Sequence, residues 1–159
     1  MKIGIMGGTF DPIHNGHLML GRAALEAFGL DRVWYMPNGN PPHKDSSSIE
    51  TDVHDRVEMV RLAISSCREF RLEPYEAKRR EVSYSYSTME YFRGIYPEDD
   101  FYFIIGADSL FMIDKWVHPE RIFTTCTVLA AYRDEINTRQ AMEEKIRKLT
   151  ETYGARIRL

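Results

Sequence analysis

Cysteine is scarce in this chain: Cys67 and Cys126 are its whole thiol content, and they lie far apart in sequence. Two such residues are too few for a disulfide scaffold and too scattered for a C-x-x-C metal knuckle, so buried free thiols are the simpler reading. No apolar run approaches the roughly 20 residues that a membrane-spanning helix needs. The first residues carry one lysine and a short apolar window, which is no secretory leader. A soluble, cytoplasmic protein that meets no membrane is the expectation. Positive charge is not in surplus either, with 21 Lys and Arg against 24 Asp and Glu for a formal −3. That excludes the basic stripe of a nucleic-acid binder. An anionic ligand would have to be met by local groups rather than by the overall field. Two common phosphate patterns are also missing. Gly4-x-x-Gly7-Gly8 is not the G-x-G-x-x-G of a dinucleotide-binding dehydrogenase, and no G-x-x-x-x-G-K-[ST] occurs. Hydride transfer and P-loop chemistry both lose ground.

What is present starts at the N-terminus. The apolar run of residues 3–6 reads as a buried strand, and an amphipathic helix begins at about residue 16. Between them stands Gly7-Gly8-Thr9-Phe10-Asp11-Pro12-Ile13-His14-Asn15-Gly16-His17. A strand, a glycine turn and a helix N-terminus together make an anion site, because free backbone N–H groups and the helix dipole point the same way. His14 and His17, three residues apart at that helix start, can face one bound anion. The plainer alternative is a tight turn whose histidines cap or pack.

The rest of the chain alternates. The first helix should stop at Gly29, and residues 33–36 read as a second strand, followed by a polar loop through Pro37-Asn38 and Pro41-Pro42-His43-Lys44. A helix is expected from about 51 to 66, with Val53, Val57, Val60, Leu62 and Ile64 on its apolar side, and residues 70–72 are a short candidate strand. Ser87-x-x-Glu90 has the form of a capping box opening a helix that Pro97 ends. Residues 101–105 are apolar enough for a central parallel strand buried on both faces. A short helix follows Gly106-Ala107-Asp108-Ser109, a strand is expected over 127–132, a helix over 137–153, and one more strand over 155–159. With 43% hydrophobic residues in 159, the chain suits one domain. Strands alternating with helices predict an α/β fold with a doubly wound, mostly parallel sheet. Ligands of such sheets bind beyond the carboxyl ends of the strands, where the turns at 7–17, 37–44 and 106–109 should converge.

The G-G-T-F-D-P-x-H-x-G-H stretch resembles the signature of the nucleotidyltransferases with an H-x-G-H motif, whose Rossmann-like fold is similar to that of class I aminoacyl-tRNA synthetases. Later motifs narrow the resemblance to the bacterial nicotinate-nucleotide adenylyltransferase family. Pro37-Asn38 and Pro41-Pro42-His43-Lys44 match its substrate loop. Val82 to Thr88 resembles its S-Y-T-x-D-T stretch, with serine at 85 and 87 where the family has threonine and aspartate; Ser87 can still cap a helix. Gly106-Ala107-Asp108 matches its G-A-D, and Lys115-Trp116 its K-W pair. The resemblance implies that His14 and His17 are catalytic. It places Gly8, Thr9, Phe10, Lys44, Gly106 and Asp108 on ATP, and Asn38, Tyr84, Ser85 and Trp116 on the mononucleotide, the backbone near 84–85 receiving its ring carboxylate. Plainer roles stand beside these: a solvated Lys44, a helix-capping Asp108, a core Trp116. Trp34 is assigned to the core, and Lys78-Arg79-Arg80 to a solvated surface.

The implied reaction is direct transfer of an adenylyl group from ATP to nicotinate mononucleotide, with Mg2+ carried by the ATP phosphates and no metal held by the protein. Phosphopantetheine adenylyltransferase and a non-catalytic nucleotide sensor are the alternatives, and self-association is left open. The family continues with an I-S-S-T-x-I-R segment on the ATP phosphates, whereas this sequence stops at Ile157-Arg158-Leu159. Residues 1–159 are therefore read as one nucleotidyltransferase domain lacking its C-terminal segment, with Arg156 and Arg158 not assumed to replace it.

Overall fold

Strands β1 (Lys2–Gly8), β2 (Arg32–Pro37), β3 (Phe70–Leu72), β4 (Asp100–Ile105), β5 (Thr127–Ala130) and β6 (Ile157–Arg158) pair in a single sheet of order β3-β2-β1-β4-β5-β6. Every pairing is parallel. This computed structural model describes residues 1–10, 12–39, 52–131 and 136–159. The helices are α1 (Asn15–Phe28), α2 (Val53–Ile64), α3 (Ser85–Ile95), α4 (Ala107–Met112), α5 (Pro119–Thr125) and α6 (Ile136–Tyr153).

The two-residue period of a strand sends alternate side chains to opposite faces, and here both faces are covered. Ile3 and Ile5 of β1, Phe101, Phe103 and Ile105 of β4, and Val128 and Ala130 of β5 join Met89, Phe92, Leu110, Ile122, Met142 and Leu149 in one core. Met6, Val33, Tyr35, Ile104 and Leu129 face the other way, against Ala24 of α1 and Val60 and Ile64 of α2. Four helices thus cover one face and two the other. Trp34 belongs to the first core, edge-on to Phe92 at 5.4 Å and to Phe101 at 5.9 Å. Cys126 is buried, and burial pushes its thiol up to about 12, whereas Cys67 is half-buried and donates to Glu69. Among the described residues no helix is long and apolar enough to cross a membrane.

The strand order turns back on itself between β1 and β4, and a crevice opens there at the carboxyl ends. Gly29, at φ 62, ends α1 in the left-handed conformation that glycine adopts without strain. The start of α3 differs from the capping-box expectation. Its cap is Tyr84, which makes no side-chain cap bond, and the Thr88 N–H bonds back to the Tyr84 carbonyl at 3.1 Å. Ser87 lies inside the first turn, so it does not cap. Glu90 is unavailable for a capping box because Arg121 of α5 holds its carboxylate, with Nε at 2.9 Å. Helix α5 was not expected from sequence, although Pro119 at its first position is a known start signal. Arg156, just before β6, lines a separate cavity of about 220 Å³ with Asp100 and Thr127, the first residues of β4 and β5. That is the end of the sheet opposite the crevice.

Helix α1 lies close on β2 because Gly21 leaves room for Tyr35, whose hydroxyl donates to the His17 carbonyl at 2.9 Å. A Cβ at Gly21 would stand 2.1 Å from that hydroxyl. Gly21→Ala should therefore destabilise the fold by about 1–2 kcal/mol, overpacking outweighing the helix propensity gained. The same change made in a Tyr35→Phe background should cost less, a difference that urea unfolding of the four chains measures.

Candidate active site

The turn after β1 is the centre of the crevice. Gly7 and Gly8 pair with Met36 and Pro37, so the chain leaves the sheet alongside the end of β2. Phe10 then takes a left-handed backbone, φ 50, which is uncommon for a bulky residue. Its ring is buried and meets the His17 ring edge-on at 4.9 Å.

His14 and His17 cap α1 reciprocally. The His14 ring Nδ1 accepts from the Gly16 N–H at 3.1 Å, and the His17 Nδ1 accepts from the His14 N–H at 3.1 Å. The two rings stack 3.9 Å apart. The capping reading is thus realised, yet it leaves the other ring nitrogens for chemistry. An Nδ1 that accepts carries no proton, so the neutral ring holds its proton at Nε2 and presents an N–H donor. Burial and the neighbouring His14 both lower the pKa of His17.

Three further segments meet this turn. From β2, Asn38 donates its backbone N–H to the Gly8 carbonyl at 2.9 Å and its Nδ2 to the Thr9 hydroxyl at 3.3 Å. From α2, Arg56 is 1% exposed. It donates Nη1 to the Thr9 carbonyl at 2.7 Å and approaches the Asn38 Oδ1 at 3.4 Å. From the segment before α3 comes Glu76, 7% exposed, which accepts from the Thr88 hydroxyl at 2.7 Å. Burial raises the Glu76 carboxyl to about 7, against the lowering effects of Thr88 and Arg79.

Together these walls enclose a cleft of about 430 Å³ lined by Gly8, Thr9, His17, Asn38, Glu76, Ser83, Ser85, Gly106 and Trp116, with apolar Met6, Met36 and Phe103. That size suits part of a nucleotide-sized ligand. Ser83 is 5% exposed, and its hydroxyl has no hydrogen-bond partner among the described residues. Trp116 follows a 3-10 turn, Ile113–Lys115, that an Asp114–Lys145 ion pair of 2.9 Å ties to α6. Its indole is half-buried, edge-on to Phe103 at 6.3 Å, with an outer face toward Asp108, Ser109 and Met112 in an adjoining hollow.

The structure brings together seven of the residues singled out from sequence: Gly8, Thr9, His17, Asn38, Ser85, Gly106 and Trp116. His14 stacks behind His17, Phe10 packs beneath it, and Asp108 lies in the adjoining hollow, in the first turn of α4 rather than at its cap, which is Gly106. Tyr84 caps α3 by its backbone, while its ring stacks on Tyr86. Lys44 falls outside the described residues, as does Asp11.

The cytidylyltransferase-like family pattern matches residues 5–153. A Clostridium kluyveri protein named "Probable nicotinate-nucleotide adenylyltransferase" is 40% identical over 159 residues, covering 99% of this chain and 78% of the relative. The chain belongs to the nicotinate-nucleotide adenylyltransferase family. The Bacillus subtilis nicotinate-nucleotide adenylyltransferase is 49% identical over 115 residues, covering 72% of this chain and 60% of that protein. In fold, the chain is similar to a Plasmodium falciparum nicotinic acid mononucleotide adenylyltransferase solved in complex with NaAD. There the TM-score is 0.77 at 21% identity, over 91% of this chain and 70% of the other.

Within this cleft, the roles assigned from sequence leave out Arg56, Glu76 and Ser83. Arg56 had a signal: it is a charge on the apolar side of its helix, between Val53 and Val60. Ser83 stood inside the S-Y-T match but was given no role, and Glu76 had little signal, since its burial comes from distant segments. Glu76 gives a pH test. Below its unfolded value of 4.5 the carboxyl is protonated in both states. Between 4.5 and about 7 only the unfolded chain ionises fully, so stability falls as pH rises, and above 7 the loss is complete. Glu76→Gln should remove that slope, gaining on the parent by on the order of 2–3 kcal/mol between pH 5 and 8. Parallel denaturation profiles of the two proteins would show an unperturbed carboxyl.

Proposed function

We propose that the chain transfers the adenylyl group of ATP to nicotinate mononucleotide, giving deamido-NAD and pyrophosphate. The observation that carries this reading is the convergence of a glycine turn, an Nε2-bearing histidine, Asn38, the uncapped start of α3 and Trp116 on one cleft. An oxygen of the mononucleotide phosphate attacks the α-phosphorus of ATP. A new P–O bond forms as the bond to the bridging oxygen breaks, and pyrophosphate leaves with that electron pair. Such a step needs alignment and charge stabilisation more than proton transfer.

Donors that carry no net charge of their own are what the turn offers. The Nε2–H groups of His17 and His14 donate to the α-phosphate oxygens as charge redistributes about the phosphorus. Backbone N–H groups of Gly8, Thr9 and Phe10 hold the same phosphate. Asp108, beside Gly106 at the end of β4, accepts from the adenosine ribose hydroxyls, and Lys44 adds charge near a phosphate. Trp116 stacks on the pyridine ring, Asn38 contacts the mononucleotide, and the backbone N–H groups at Tyr84 and Ser85 meet its carboxylate. Mg2+ supplies charge neutralisation when bound. The phosphates of ATP would carry it into the cleft. Two free thiols fit a reducing cytoplasm as the compartment.

Turnover of ATP and nicotinate mononucleotide to dinucleotide and pyrophosphate is the direct test. Activity on phosphopantetheine instead, or nucleotide binding without turnover, would replace this reading. His17→Ala should lower kcat by roughly 10²-fold with little change in KM, and His14→Ala should act in the same way. Unchanged turnover would leave the histidines as caps only. Trp116→Ala should chiefly raise the mononucleotide KM, by up to about tenfold for a lost stacking face. Equal kcat/KM for the acid and the amide mononucleotides in the parent protein would remove the carboxylate role of the α3 start.

A further inference from the structure

A buried guanidinium is costly to keep unless every interaction it makes is worth keeping, and Arg56 spends its Nη1 on the Thr9 carbonyl, next to the phosphate turn. A trans peptide points its C=O and N–H in opposite directions. With the Thr9 oxygen turned toward α2, the Phe10 N–H is therefore turned away from α2. Arg56 itself does not line the cleft, whereas Gly8 and Thr9 do.

The backbone at Phe10 shows why this peptide needs holding. Its φ of 50 lies in the left-handed region that a bulky side chain avoids. Flipping the Thr9–Phe10 peptide by a half-turn would bring that φ to about −130°, out of the positive range and into the negative range that L residues ordinarily occupy. The relaxed flip would also reverse the peptide dipole, aiming the Thr9 oxygen where the Phe10 N–H now points. An anion held by the turn would then meet a carbonyl oxygen instead of a donor. Asn38 supports the present arrangement, since its Oδ1 faces Arg56 while its Nδ2 donates to the Thr9 hydroxyl.

We propose that Arg56 is a positioning residue for phosphate binding: it holds the Thr9–Phe10 peptide in its strained orientation, so that the Phe10 N–H faces the α-phosphate of ATP. This rests on the adenylyl-transfer reading for the identity of the phosphate, and on the observed geometry for the rest. Arg56 touches no substrate and acts through the turn.

The test compares the parent with Arg56→Lys and Arg56→Met at a temperature where circular dichroism shows all three fully folded. Steady-state kinetics give kcat and both KM values, and calorimetry gives the affinity for MgATP alone. The Met variant should lose kcat by roughly 10–100-fold and bind MgATP at least about fivefold more weakly, with the mononucleotide KM within about threefold of the parent. Lysine, which can still donate to the Thr9 carbonyl, should recover most of both losses. A folded Met variant with parental kcat and MgATP affinity would overturn the proposal. Equal losses in the Lys and Met variants, with both KM values raised together, would also overturn it by showing a general loosening. If the Met variant does not fold, Arg56→Gln takes its place, keeping an N–H donor without the charge, and is expected to retain MgATP binding better than it retains stability; the reverse would count against the proposal. A parent that turns nothing over defeats the adenylyl-transfer reading, and the MgATP affinities alone then decide the role of Arg56.

Discussion

The cleft depends on β1 being paired on both sides. Its backbone is tied to β2 over six residue pairs and to β4 over four, so Gly8 leaves the sheet at a fixed height beside Pro37. The order reverses between β1 and β4, which means that no helix can close over the carboxyl ends of both at once. A crevice is left open by topology alone. What fills its rim is then decided by the three connections that emerge there, from β1, β2 and β4. Because β1 is buried on both faces, its apolar residues resist any shift of register, and the turn inherits that rigidity.

The first turn of α1 shows one arrangement meeting two demands. Any helix leaves its first N–H groups without partners, and two of them, at Gly16 and at His14 just outside, are taken by imidazole nitrogens. The bonds that satisfy the backbone also set each tautomer, leaving Nε2 as the donor nitrogen. A serine or aspartate would cap as well, yet would offer no second proton-bearing atom on its far side. Capping and phosphate contact are thus compatible roles of the same rings rather than rival explanations.

Local signals made much of this legible beforehand. The glycine turn, the apolar run of β4, the stop at Gly29 and the core position of Trp34 all depend on nearby residues or on strand period, and each appears in the structure. The start of α3 was misplaced by three residues, cap to cap, because a local pattern, Ser87 with Glu90, met a distant competitor: Arg121 takes the glutamate. Arg56 and Glu76 were missed for a related reason. Arg56 binds a carbonyl 47 positions away, and Glu76 binds a hydroxyl 12 positions away across a change of segment. Periodicity reports which face of an element is buried, but not what waits on the other side.

Arg56, Glu76 and Ser83 share a physical character that sets them apart from the apolar core. Each is a polar group almost wholly removed from water, and burial of that kind destabilises a fold unless partners compensate. Arg56 is compensated in part by the Thr9 carbonyl and the Asn38 side chain. Glu76 is compensated in part by Thr88, and its raised carboxyl records what remains unmet. Ser83 has no partner for its hydroxyl among the described residues and lines the cleft beside Ser85, at the start of α3. The three therefore form a graded series, from a polar group bonded within the protein to one whose hydroxyl has no partner among the described residues. A cleft that keeps such groups at its wall differs in this from a well-packed apolar core.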